Sequence, residues 1–311
     1  MAITNTSPNH DSYPALGLLE ELVIGCDSIQ KGVAQLLPGN RNKISLRRFY
    51  ADGDNITARF STFAAGTIAD AMTKDEKQII LSEIQMIDNF DPQAFAIDTK
   101  DLWPAGTQAS SSVSPTLNAA IRSVLTKNFN ATLEKMLWQG DTGGSGSLAL
   151  MDGFIKKIDA DASVVSVTPA GAITAANVIA ILEAVVAACP AAVQELSSPA
   201  IVTSHTTKYL YRQALRDADI YKGVNFDARG YDVFGGYPII SVSGIPANRV
   251  FMFNTGGEGA ELKIGLWDDG DRFNIQFGKG HELDDVIGVR IRGDIGVQHV
   301  YGAQIVEYSP A

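Results

Sequence analysis

The chain is short of cysteine, histidine and basic charge. Its two cysteines, Cys26 and Cys189, stand far apart with no Cys-x-x-Cys or Cys/His ligand spacing. That excludes a disulfide scaffold and a structural zinc site as sequence-supported readings and leaves two buried thiols. The four histidines, His10, His205, His281 and His299, share no metal-ligand spacing either. Lys and Arg number 25 against 35 Asp and Glu, a formal charge of −10. Such a surface is no general nucleic-acid grip, because that binding rests on neutralising phosphates with cations. Long apolar runs are also missing: none reaches the roughly 18 to 20 residues of a membrane span. The opening MAITNTSPNHDSYPALG lacks both the basic and the apolar region of a secretory signal, so the protein is expected to stay where it is translated.

What is present is a globular composition. The 311 residues are 45% apolar and 19% charged, enough for one large domain or two to three modest ones. Tyr13 to Leu37 places Leu16, Leu19, Leu22, Val23, Ile29, Val33 and Leu36 at mostly helical offsets and stops at Pro38-Gly39-Asn40, which predicts an arm with one apolar face. Ile44 to Ala51 and Ile56 to Phe63 flank Asp52-Gly53-Asp54-Asn55 and predict a hairpin, with a further extended run, Gln78 to Ile87, after a polar stretch Thr73 to Lys77. Charge divides this ribbon. Arg41, Lys43, Arg47, Arg48 and Arg59 dominate before position 60, whereas Asp70, Asp75, Glu76, Glu83, Asp88 and Asp91 dominate after it. Two readings stand: cross-strand complementarity within one chain, or contact with an oppositely charged patch on another subunit.

Ser114-Pro115 opens the longest predicted helix, since Ser caps well and Pro is tolerated at the first helical position. Leu117, Ile121, Val124, Leu125, Phe129, Leu133, Met136 and Leu137 form its apolar stripe, with Asn118, Arg122, Lys127, Asn130 and Glu134 opposite and an end near Trp138 to Gly140. Helices are also expected over Thr174 to Cys189 and His205 to Asp217. Strands are expected at Val164 to Val167, Pro199 to Thr203, Tyr237 to Val242, Arg249 to Phe253, Leu262 to Trp267 and Arg272 to Phe277. Val286 to Arg292 and Gln298 to Tyr308 read as long closing strands.

No active-site constellation stands out. His205 beside Ser204 reads as part of a helix cap with an exposed imidazole. GDTGGSGS (Gly140 to Ser147) lacks the lysine of a phosphate loop, and GGEG (Gly256 to Gly259) is no dinucleotide turn. Asp268, Asp269 and Asp271 lack the later acidic residue of a calcium loop. No catalytic, cofactor or metal residues are assigned, and no cofactor is expected.

The order of parts is unusual: an arm, a charged ribbon, a strut helix, a compact α/β segment and long closing strands. Thr126 to Ile158 carries KNFNATLEKMLWQGD, a Gly/Ser loop and MDGFIKKI. Further on stand GYPII (Gly236 to Ile240), FMFNTGGEGAELKIGLWDD, and Phe273 to Gln276 followed by Asp284-Asp285 and VIGVRIRGDIGVQHVYGAQIVEY, with Arg290, Arg292 and Asp294. In combination these stretches resemble the major capsid proteins of tailed bacteriophages, the Hong Kong 97 phage-type shell fold, over roughly residues 40 to 310.

The resemblance implies an α+β chain with an N-terminal arm (1–40), an extended β-ribbon loop (41–90), a peripheral domain (91–163 and 276–311) with a spine helix at about 115–138, and an axial α/β domain (164–275). It implies a non-enzymatic major capsid protein that self-assembles into hexamers and pentamers of an icosahedral shell around double-stranded DNA, without sequence-specific DNA contact and without a membrane. Portal, scaffold and decoration proteins are further partners, and the location is the virion, assembled in the host cytoplasm. About 40 residues precede the loop where the family often carries a scaffolding extension, so a separate scaffold or none is expected. Arg47, Arg48, Arg59 and Glu83 are the expected intersubunit contacts. Reversal of Arg47 and Arg48 is expected to spare the subunit's melting and to damage assembly. The spine helix is expected to pack through Leu117, Ile121, Val124 and Leu125 onto the closing strands. An encapsulin-type compartment is the alternative within this fold, and a soluble enzyme the less favoured one outside it.

Overall fold

A computed structural model describes residues 25–39, 43–51, 72–90, 115–168, 171–217, 232–267, 275–279 and 287–310. In chain order the elements are α1 (Asp27–Gln30), β1 (Ala34–Gly39), β2 (Lys43–Ala51), β3 (Met72–Ile80), β4 (Ser82–Phe90), α2 (Pro115–Gln139), α3 (Phe154–Asp159), β5 (Val165–Val167), α4 (Val178–Ala187), α5 (Ala191–Gln194), β6 (Pro199–Thr203) and α6 (His205–Asp217). There follow β7 (Val233–Phe234), β8 (Tyr237–Ser241), β9 (Val250–Asn254), β10 (Leu262–Trp267), β11 (Ile275–Lys279), β12 (Ile287–His299) and β13 (Val306–Tyr308).

Two sheets and a ribbon organise the molecule. One sheet runs β1-β10-β12-β11 with β4 also paired to β12, the second runs β5-β13-β9-β6-β8-β7, and β2 pairs β3 alone. The sheets exchange strands along the sequence: β10 joins the first although it follows the helices of the second, and β13 returns to the second. β9 shows why the second sheet is central. Its VFMF run is buried on both faces, as a continuous apolar strand must be. Phe251 and Phe253 face the core containing α2, α3, β10 and β12, while Val250 and Met252 face the core containing α4 and α6. Trp138, at the end of α2, packs on Phe154 and Phe251 with ring centroids 5.3 and 5.6 Å away.

Several expectations hold. α2 is a 25-residue helix, β10 has the expected limits, and Ser204 Oγ accepts the Thr207 N–H at 3.1 Å as an N-cap for α6. Both cysteines are free and buried.

Five expectations are corrected. Of the amphipathic stretch 13–37, the described part holds one helical turn. Gly32, at φ +67°, ends it, and Ala34–Gly39 becomes a strand parallel to β10. The strand after Lys43 pairs with Met72–Ile80 and not with 56–63, so the polar stretch Thr73 to Lys77 is itself strand; 52–71 lie outside the described residues. In α2, Val124 is 67% exposed whereas Glu134 is buried, and the side chains of Leu117 and Ile121 lie outside the described set. α4 begins at Val178, because Thr174 to Asn177 form a turn in which Asn177 Oδ1 accepts from the Thr174 N–H at 2.7 Å. The two closing runs are one 13-residue strand, β12, plus the short β13 in the other sheet.

Candidate assembly surface

The ribbon base is built by alternation. Successive strand residues point to opposite faces, so the antiparallel register Ile44↔Ile79, Leu46↔Lys77 and Arg48↔Asp75 collects one face, and Lys43↔Ile80, Ser45↔Gln78 and Arg47↔Glu76 the other. The first face lies on the chain's own body. Leu46 and Ile79 are buried there, Ile79 at 0% exposure. Its seat is a pair of glycines, Gly265 on β10 and Gly296 on β12, which are register partners. A Cβ at either would stand 3.0 Å from Ile79 Cγ2, and at Gly296 it would also overlap the Ile80 carbonyl oxygen. Two neighbouring strands without side chains thus form the socket that lets the ribbon backbone approach.

Polar contacts fix the same face. Arg48 pairs with Asp75 and donates from Nη1 to the Val300 carbonyl at 2.9 Å. Lys77 Nζ donates to Asp161 Oδ2 at 2.7 Å and also meets His299. On the outward face Arg47, Glu76 and Gln78 are exposed, and Ile80 is 58% exposed. A second exposed surface lies on β4, where Glu83 forms an ion pair with Arg292 and Ile87 stands in solvent opposite Arg290.

The four expected contact residues therefore do not form one patch. Arg47 faces outward on the ribbon, Arg48 is turned inward and paired, Glu83 sits on β4 with a partner in its own chain, and Arg59 lies outside the described residues. Arg48 and Glu83 each have an ion-pair partner within the chain, Asp75 and Arg292. Missed by sequence reasoning were the buried polar groups that join elements. Ser28 donates to Glu134 from its N–H at 3.3 Å and its hydroxyl at 2.5 Å, and Trp138 Nε1 donates to Ser28 Oγ at 2.7 Å. Arg249 bridges Asp159 and Glu307. Glu134 looked like a solvated helix position, and only the partner from α1 reveals why burial is tolerated.

His205 is exposed beside Asp27 at 3.5 Å, burial pushes both thiols up and away from reactivity, and no metal-ligating cluster occurs among the described residues. The acidic run 268–271 lies outside them. The Gly/Ser loop is tied down: Lys156 Nζ reaches Asp141 and Asp152 at 2.7 and 2.6 Å. Burial works against the Asp152 carboxylate, but bonds from Lys156 and Thr142 hold it down at about 2. A cleft of about 290 Å³ between α2, α3 and Arg249 is lined by Asp141, Lys156, Asp159 and Arg249, and these charges already answer one another. No described helix is long and apolar enough to cross a membrane.

No family model matches the chain, and no curated protein matches it. Solved structures do. A chain of the satellite phage P4 procapsid superposes with a TM-score of 0.63 at 13% identity, covering 98% of this chain and 93% of its own. The capsid of a native GTA particle gives 0.63 at 13% identity, covering 100% and 95%. A Mycobacterium phage Adephagia chain gives 0.57 at 13% identity, covering 100% and 99%. The chain has the α+β fold of these capsid structures.

Proposed function

We propose that this chain is the major capsid protein of a tailed double-stranded DNA phage, a structural subunit that assembles with copies of itself into pentamers and hexamers of a closed shell. The observation that carries the reading is the two-way, near-complete coverage of phage capsid chains. Residues 1–40 serve as the arm, 41–90 as the extended loop, 91–163 with 276–311 as the peripheral domain and 164–275 as the axial domain. The exchange of β10 and β13 between the two sheets ties the latter two together. Portal, scaffold and decoration proteins complete the head in the host cytoplasm, and the packaged DNA meets a net acidic shell that does not trap it.

The outward face of the ribbon, with Arg47 at its centre, is the part offered to a neighbouring copy. Among the described residues its alternating charges have only one another nearby, and exposed pairs add little to a fold. Glu83, beside Arg292, belongs to a second contact on β4, and Arg59 is a further proposed contact residue. Negative-stain microscopy of the purified chain tests the proposal. Closed shells are expected, and particles of only a few nanometres across salt and concentration series would overturn it.

A further inference from the structure

The ribbon base meets the body at a partly buried cluster of charges. Lys77 Nζ lies 2.7 Å from Asp161 Oδ2 and 2.7 Å from His299 Nε2, and that same nitrogen lies 2.7 Å from the same oxygen. His299 is 2% exposed, and its Nδ1 has no hydrogen-bond partner. Arg48 reaches in from β2 to the Val300 carbonyl with its Nε unpartnered, and Glu261, just before β10, faces Lys77 and Lys263.

With Lys77 an ammonium and Asp161 a carboxylate, no form of the His299 ring satisfies all three atoms. A neutral ring protonated on Nδ1 accepts from the Lys77 ammonium but turns a lone pair to the carboxylate and strands its Nδ1–H. A ring protonated on Nε2 donates to Asp161 but sets that N–H against the ammonium. An imidazolium places a second full cation beside Lys77, with Arg48 near, around one carboxylate. We propose that this cluster is a proton-operated latch: with neutral His299 it holds the ribbon base on the body, and protonation of His299 releases it.

Burial holds the docked imidazole below its ordinary range. Asp161 opposes that shift, and Lys77 and Arg48 add to it. A released imidazole returns to about 6.5. Below that value the released state therefore binds more protons than the docked one, and docking weakens as pH falls. Burial disfavours the Asp161 carboxylate, but bonds from Lys77, Ser163 and His299 hold it far below the usual range, so it stays anionic throughout. Glu261 has the opposite sign. Burial lifts it to about 7, so the docked state takes up its proton first, and Glu261→Gln sharpens the response to acid.

Hydrogen exchange on the full chain reads the latch directly. A lone two-stranded ribbon is marginal in water, so release appears as lost protection of the β2 and β3 amides. After correction for intrinsic rates, and with β9 as reference, ribbon protection in Glu261→Gln, the background for each variant below, should fall roughly tenfold or more between about pH 7.5 and 5. The wild type, where Glu261 opposes the change, should fall less or not at all. His299→Gln should abolish the fall. Lys77→Met, which keeps the stem and removes the second cation, leaves an imidazolium paired with Asp161 and should abolish it too. No fall in Glu261→Gln, or an equal fall when Lys77→Met is added to it, overturns the proposal. A folded His299→Gln variant that still falls overturns it as well, and melting near pH 7.5 establishes that it is folded. The readout lies within one subunit and does not depend on shell formation.

Discussion

The two faces of the ribbon base share a backbone and little else. Inward, Ile79 is fully buried over the glycine pair, Leu46 is buried beside it, and Arg48 and Lys77 are tied to Val300, Asp161 and His299. Outward, Lys43, Ser45, Arg47, Lys74, Glu76 and Gln78 are exposed. Arg47 and Arg48 are adjacent in sequence, and alternation alone sends one to the fold and the other to whatever lies outside the subunit. On the proposed reading the charged ribbon is divided between stability and assembly along its width, and substitutions on the two faces should fail in different assays.

The largest effect is expected for Ile79→Ala, a buried truncation worth about 2 to 5 kcal/mol in the melting of the unassembled subunit. A loss near zero would mean the ribbon does not rest in its socket. Gly296→Ala follows at about 3 kcal/mol, because its new Cβ meets backbone at Ile80. Gly265→Ala should cost less, about 1 to 2 kcal/mol, since it meets side chains alone, the ends of Ile44 and Leu81, which can rotate, and the Ile79 Cγ2 methyl at 3.0 Å. Equal costs at the two glycines would contradict the described approach of the ribbon. Arg48→Ala should lose about 1 to 3 kcal/mol by stranding the Val300 carbonyl. Arg47→Ala should change melting by less than about 0.5 kcal/mol. Calorimetry on the pair decides whether the faces differ as described.

Parts of this arrangement were legible beforehand and parts were not. α2, α6 and β10 carry local signals of their own: a Ser-Pro start, a Ser N-cap and an apolar run interrupted only by Lys263 and Gly265. The pairing of β2 with β3 has no such signal. The Asp52-Gly53-Asp54-Asn55 turn favours a nearer partner, and the true one is selected by how Ile79 fits between two glycines more than 180 residues further on. The socket is visible only when β10 and β12 are in register. Lys77 is half-buried and Glu134 and His299 are buried, all three with partners from other elements, so periodicity reads them as surface. Arg47 and Arg48 could be assigned to opposite faces once a strand was expected. Which face met the body required the body.

Sedimentation velocity of Arg47→Glu beside the wild type tests the division most directly. The wild type should sediment as closed shells, and the variant as subunits or capsomers at low salt with the wild-type melting temperature. If the variant forms shells as readily as the wild type, or unfolds where the wild type does not, Arg47 is not an assembly contact and the division of the ribbon into a folding face and an assembly face is wrong.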